Sequence, residues 1–141
     1  MTTLSNLTEK IQKAFNAGDV DSLADCYAED ATQQHPFFPG GNAGRAAIHA
    51  AENGLFSAFT DIDWQLQRTI EQGDWALVEV LVSATNNAPM PTPDGNVFPA
   101  TNKRITVAMA NVVRLDGDGL IAEEHRYMDV AGFMAQLGLL G

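Results

Sequence analysis

The chain has 141 residues, of which 45% are hydrophobic and 8% aromatic, as is typical of one globular domain, predicted here over residues 1–141. Eighteen acidic against eight basic side chains give a formal net charge of −10, and without a Lys/Arg cluster a nucleic acid partner is not expected. No apolar run approaches the roughly 18 residues that span a bilayer, the N-terminus lacks a secretory pattern, and the one cysteine, Cys26, cannot form an internal disulfide. We therefore expect a cytoplasmic protein with no membrane partner.

Two helices are predicted at the N-terminus. The first is indicated by apolar residues at steps of three and four, namely Leu4, Leu7, Ile11, Ala14 and Phe15. It should end at Gly18, since glycine commonly terminates a helix in the left-handed conformation. A second helix, capped by Asp19 or Asp21, would carry Leu23, Cys26 and Tyr27 on its apolar face and stop near Glu29 and Asp30. The two would form a helical hairpin.

A short aromatic loop and a third helix follow. The prolines and glycines of residues 35–41 (HPFFPGG) cannot continue a helix. The third helix is predicted to open at Gly44 and Arg45, with Ile48, Ala51, Leu55, Phe56 and Phe59 on its apolar face. His35 therefore stands at the start of the loop.

From residue 62 onward the hydrophobic pattern changes to period two, which is typical of strands. Strands are predicted over residues 62–70 and 75–84, a long loop or wide hairpin over 86–102, and strands over 105–115 and 120–129. The tail from Val130 to Leu140 is a short closing helix or turn. Helices followed by an antiparallel meander predict an α+β fold, in which a strongly bent sheet wraps the third helix into a cone with a pocket at its open end.

The last strand carries the most chemically active side chains. Period two places Ile121, Glu123, His125, Tyr127 and Asp129 on one face, and Ala122, Glu124, Arg126 and Met128 on the other. Because Glu124 and Arg126 are harder to bury than His125 and Tyr127, we expect the His125 face to line the pocket. The alternative is that this face is exposed to solvent or packed in a dimer.

Two further polar residues are candidates for the site. His35 precedes a proline, which holds its backbone extended, and an imidazole suits general base work at a carbon acid. It could instead cap the third helix or face solvent. Asn111 lies on a face of its strand whose other residues are mostly apolar. There its amide either bonds the backbone or donates to an enolate oxygen in the pocket.

The apolar lining and the cofactor requirement can also be predicted. Phe37, Phe38, Phe56, Phe59, Trp64 and Met109 would line an open cone that binds a hydrophobic ligand, or would fill a core. His35, His49 and His125 lack the spacing of metal ligands. The sequence also lacks the motifs of zincins, P-loop enzymes, serine hydrolases and dinucleotide enzymes, so neither metal nor cofactor is expected.

Two long segments resemble a known family. FNAGDVDSLADCYAEDATQQHPFFPGG with AGRAAIHAA, and DGDGLIAEEHRYMDVAGFMAQLGLL, resemble the two ends of SnoaL-like and ketosteroid-isomerase-like proteins of the nuclear-transport-factor-two-like superfamily. The resemblance implies a cone-shaped α+β barrel and a homodimer that pairs its outer sheet faces. By position, Asp129 matches the acid/base carboxylate of SnoaL-like cyclases. His35 matches the isomerase base and a SnoaL-like histidine, and Asn111 matches an oxyanion-hole acid.

The resemblance implies a function as well. We expect a cofactor-free lyase or isomerase in which His35 or Asp129 removes a proton alpha to a carbonyl of a hydrophobic small molecule, while Asn111, Tyr127 or His125 stabilises the enolate. Ile11 stands where the isomerases have a tyrosine, and the Arg-x-Asp of related epoxide hydrolases is missing from residues 105–115. The alternatives are a non-catalytic binding module of the same fold and an epoxide or ester hydrolase.

Overall fold

The fold is given by a computed structural model that describes residues 3–92 and 94–140. Met1, Thr2, Pro93 and Gly141, which belong to the predicted domain 1–141, lie outside the described residues. The described chain forms four helices: α1 (Thr3–Ala17), α2 (Val20–Ala24), α3 (Arg45–Ala58) and α4 (Val130–Gln136). Among these residues, no helix is both long enough and apolar enough to cross a membrane.

The described strands form a curved six-stranded sheet and a small two-stranded one. The strands are β1 (Tyr27–His35), β2 (Phe38–Ala43), β3 (Phe59–Gln72), β4 (Trp75–Asn86), β5 (Met90–Pro91), β6 (Val97–Phe98), β7 (Arg104–Leu115) and β8 (Ile121–Met128). The large sheet has the order β2-β1-β8-β7-β4-β3 and does not close, and β5 pairs with β6. The predicted α+β class and the meander β3-β4-β7-β8 are confirmed.

The first third of the chain differs from the prediction. The second helix ends at Ala24, and Tyr27, predicted on its apolar face, begins β1. The predicted aromatic loop is the tip of a hairpin, in which β1 ends at His35 and β2 begins at Phe38. β1 also pairs in parallel with β8, which joins an early segment of the chain to the last strand.

The core lies on the concave face of the sheet. Alternate residues of β4 and β7 are buried there, among them Val78, Val80, Val107 and Val113. Helix α3 packs against this face through Ile48 and the residues that follow it at helical spacing. Helix α1 contacts β3, where the Phe15 ring stacks on Trp64 with centroids 6.1 Å apart.

A bulge decides which face of β8 points inward. Leu115 pairs with Ile121, but Arg114 pairs with Glu123, so the register shifts by one residue. Ile121, Glu124 and Arg126 are buried, while Tyr127 is 60% exposed. Because one extra residue moves the following side chains to the opposite face, the prediction that His125 and Tyr127 face the pocket is wrong.

Candidate active site

The concave face encloses an aromatic cavity of about 90 Å³. Its lining is mostly apolar and includes five phenylalanine side chains: Phe15, Phe37, Phe56, Phe59 and Phe133. Of the described residues that line it, three are polar: His35 from β1, Glu52 from α3 and Arg126 from β8. We call this the main cavity.

Arg126 is the centre of a buried polar cluster. Its side chain is 6% exposed, and its Nη2 lies 2.8 Å from Glu52 Oε1 and 3.2 Å from Glu124 Oε2. Its Nε donates to Asn111 Oδ1 at 3.2 Å, and its Nη1 lies 3.1 Å from His35 Nε2. Burial opposes the charge, but the Glu124 and Glu52 carboxylates outweigh it and hold the pKa of Arg126 well above its usual value.

Both carboxylate oxygens of Glu124 accept hydrogen bonds from neighbouring side chains. Tyr27 Oη donates to Glu124 Oε1 at 2.6 Å, and Gln33 Nε2 donates to the same oxygen at 2.8 Å, while Oε2 contacts Arg126. Burial and the Glu124 carboxylate raise the pKa of Tyr27 well above its usual value, so Tyr27 remains a phenol that donates. Glu124 lines a separate cavity of about 30 Å³ beside α1, not the main cavity.

Glu52 is engaged through only one of its two oxygens. Oε1 accepts from Gln33 Nε2 at 3.0 Å and contacts Arg126 Nη2. Within residues 3–92 and 94–140, no group donates to Oε2, although the residue is only 2% exposed. Every fully inaccessible polar side-chain atom described has a partner, so Oε2 retains accessible surface, and we place that surface in the main cavity that Glu52 lines.

His35 lies between two donors. The backbone N–H of Phe37 donates to His35 Nδ1 at 3.1 Å, and Arg126 Nη1 lies 3.1 Å from His35 Nε2. Burial, reinforced by the Arg126 charge, lowers the pKa of His35 to about 3, so the imidazole is neutral near pH 7. A neutral imidazole has a single acceptor nitrogen and cannot accept from both donors at once.

The other predicted site residues fall in different places. Asn111 is buried in the cluster, where its amide also donates to the Val78 carbonyl at 3.4 Å, and it lines the smaller cavity. His125 lies on the outer face and contacts Glu123 Oε2 at 2.7 Å. Asp129 is exposed and caps α4, accepting from Gly132 N at 2.9 Å. The last strand therefore brings Arg126, and not its two neighbours, to the cavity.

The predicted apolar lining is also divided. Phe37, Phe56, Phe59 and Met109 line the main cavity. Trp64 lines the smaller cavity, and Phe38 lines a wider surface groove of about 680 Å³ between α3, α4 and the two hairpins. Among the described residues, no group of three or more His, Cys, Asp or Glu side chains is arranged to hold a metal ion.

Glu52 and Arg126 are site residues that the sequence analysis above does not predict. Glu52 follows Ile48 by four residues, and it therefore falls on the apolar face of α3. A charged residue on such a face was the available signal, because an acidic side chain is rarely buried without a partner. Arg126 was assigned to the outer face because a bulge in β8 cannot be recognised from period two.

The chain is similar to several proteins of known structure. TsrD from Streptomyces laurentii is 25% identical, with a TM-score of 0.81 over 98% of this chain and 96% of that one. IdmH from Streptomyces antibioticus, a candidate polyketide cyclase, is 23% identical, with a TM-score of 0.72 over 95% and 97% of the two chains.

A protein of ketosteroid isomerase-like fold from Catenulispora acidiphila DSM 44928 is 17% identical, with a TM-score of 0.76 over 94% of this chain and 92% of the other. A search of curated proteins finds no match. The sequence profile of the SnoaL-like domain matches residues 8–124, most of the chain. The chain therefore belongs to the SnoaL-like family.

Proposed function

We propose that the protein catalyses cofactor-free proton transfer at a carbon alpha to a carbonyl, as in an aldol cyclisation or an isomerisation. The substrate is a hydrophobic small molecule that enters the main cavity. The proposal is carried by one observation: His35, Glu52 and Arg126 are buried, in contact through Arg126, and are the polar part of an otherwise apolar lining.

The chemistry of this arrangement favours an enolate. An enolate oxygen carries a developing negative charge, which donors fixed in a low-dielectric site stabilise far more than water-exposed donors do. Arg126 supplies a permanent positive charge at the cavity wall. His35, being neutral, serves as a hydrogen-bonding group for the oxygen and is a poor base, because its pKa of about 3 is far from neutrality.

The size of the substrate is limited by the cavity. A volume of about 90 Å³ admits the reacting end of a small ketone or of a longer polyketide chain, and five phenylalanine rings favour an apolar skeleton. The name of IdmH as a candidate polyketide cyclase agrees with a poly-carbonyl substrate. Exchange of α-hydrogens for deuterium in D₂O, followed by NMR over a panel of hydrophobic ketones and β-ketoesters, tests the function.

Two results of that experiment separate the possibilities. Exchange above the buffer rate, reduced in a His35→Asn variant, supports proton transfer. If ketones bind, as judged by thermal stabilisation, yet none exchanges faster than in buffer, the protein is a binding module and the proposed reaction is wrong.

We also infer a homodimer that pairs the outer face of the large sheet. Ile70 is 54% exposed on that face and adjoins Leu77, which pairs in turn with Val112. On β8, Val112 pairs with His125, and Tyr127, which is 60% exposed, lies two residues further along the same face of the strand. Contiguous apolar side chains on a surface are typical of protein interfaces, so a second copy of the chain is the expected occupant.

A further inference from the structure

We propose that Glu52 is the general base of the reaction, and that its Oε2 removes the α-proton of the substrate. This inference rests on the proposed function and assigns its proton acceptor. In the step, the substrate C–H bond breaks and an O–H bond forms on Oε2. The electron pair of the C–H bond moves into an enolate, whose oxygen takes the negative charge, and the proton on Oε2 later returns to carbon or to the aldol oxygen.

The first support is the difference between the two oxygens of Glu52. Oε1 is held by Gln33 and Arg126, which fixes the carboxylate in place. Oε2 has no donor within the described chain and keeps accessible surface. A base requires a lone pair that the substrate can reach, and the cavity-lining position of Glu52 provides it.

The second support is a place for the enolate oxygen. With Nδ1 of His35 accepting from Phe37 N, the ring proton is on Nε2, 3.1 Å from Arg126 Nη1. Two donors then lie side by side, and one oxygen that accepts from both satisfies them. Arg126 has five N–H groups and uses three of them on Glu52, Glu124 and Asn111, so the two N–H groups of Nη1 remain for that oxygen.

The third support is the charge balance of the step. Ionised Glu52 and Glu124 with Arg126 and a neutral His35 give the cluster a net charge of −1. Proton transfer from a neutral carbon acid neutralises Glu52 and places an equal negative charge on the enolate oxygen. The negative charge therefore moves within one cavity, beside the same guanidinium, and no new net charge is created in the low-dielectric interior.

The comparison with Glu124 distinguishes a base from a structural carboxylate. Both glutamates are buried and contact Arg126. Glu124 uses both oxygens, on Tyr27, Gln33 and Arg126, and does not line the main cavity. The accessible oxygen makes Glu52 the proton acceptor.

The decisive variant is Glu52→Gln. Its amide oxygen can take the place of Oε1 and accept from Gln33 and Arg126, while its NH₂ takes the place of Oε2, where no described donor opposes it. The variant should therefore fold, which circular dichroism and a thermal midpoint check. Glu52→Asp keeps a carboxylate set back by one methylene. The matched control is Glu123→Gln on the outer face, where Glu123 contacts His125.

The assay is α-hydrogen exchange of cyclohexanone and of 2-tetralone in D₂O, followed by NMR from pD 4 to 9. We expect Glu52→Gln to lose about 10²–10⁴-fold in exchange rate, the usual worth of a general base. Glu52→Asp should lose about 10²-fold, as expected for a displaced group. Glu123→Gln should match the wild type. The rate of Glu52→Gln should stay below that of the wild type at every pD tested.

Other results would contradict either the role of Glu52 alone or the proposed function together with it. If the wild type exchanges these ketones and folded Glu52→Gln does so at the same rate with the same pD profile, Glu52 is not the base, while the proposed function stands. If Glu52→Gln does not fold, the assignment is tested with Glu52→Asp. It is refuted if Glu52→Asp exchanges the ketones at the same rate as the wild type. If the wild type exchanges neither ketone, both the proposed function and this inference are wrong.

Discussion

Replacing Arg126 with methionine should cost the protein a large part of its stability. The substitution keeps most of the side-chain volume but removes the only guanidinium that contacts Glu52 and Glu124 within the described chain. Both carboxylates would remain buried without a cation. Asn111 Oδ1 would also lose the Nε donor that lies 3.2 Å away.

The expected loss follows from the general cost of breaking a buried ion pair. Removal of one partner costs about 3–5 kcal/mol, because the remaining charge is buried without compensation. A domain of this kind is stabilised by about 5–15 kcal/mol in total, so the variant should be close to unfolding at 37 °C. Urea unfolding followed by the fluorescence of buried Trp64 measures the difference, provided that the m value is unchanged.

Two controls make the result interpretable. Arg68→Met removes an ion pair of similar geometry, 2.6 Å from Glu79, but on the surface, and should change the stability little. Adding Glu52→Gln and Glu124→Gln to Arg126→Met removes the unpaired charges and should recover part of the loss. If Arg126→Met alone costs less than about 1 kcal/mol, the guanidinium does not hold the cluster together and the reasoning is refuted.

Three further outcomes are expected. His35 takes a proton near pH 6.5 when unfolded and near pH 3 when folded, so its contribution is complete above pH 6.5 and is lost as the pH falls towards 3. The stability difference between the wild type and His35→Asn should therefore shrink over this range, by at most about 1.4 kcal/mol per pH unit, and parallel urea-derived curves would contradict the shift. Asp129→Ala should lose about 1 kcal/mol with its helix cap and leave ketone exchange unchanged, whereas a slower rate at normal binding would return Asp129 to the site. Tyr127→Glu should convert a dimer of twice 15.2 kDa into monomers by light scattering, and a wild type already monomeric at micromolar concentration would exclude the dimer.

The strands that were predicted correctly are those whose side chains on the concave face of the sheet are apolar. β4 and β7 alternate because every second side chain enters the core, as Val80 and Val107 do, and this alternation is visible in the sequence. β1 was missed because its inward positions include Gln33 and His35. These side chains are satisfied by the cluster, so the strand lacks the hydrophobic alternation on which the prediction depends.

The site was predicted in part for a related reason. His35 was found because a histidine before proline is conspicuous, and Asn111 because an amide in an apolar strand requires a partner. The face of β8 could not be predicted, since its register shift is a property of the pairing with β7. Arg126 was judged too costly to bury, and it is buried only because Glu52 and Glu124 compensate its charge.

The parallel pairing of β1 with β8 has a consequence for the order in which the parts of the protein fold. The bond from Tyr27 to Glu124 spans 97 residues, and the contact of His35 with Arg126 spans 91. Contacts so distant along the chain form late, because the loop between them must close first. During synthesis the aromatic cavity can begin to collapse, yet Gln33 and His35 must stay hydrated until the last strand leaves the ribosome, and a chain that stops before Glu124 never completes its interior.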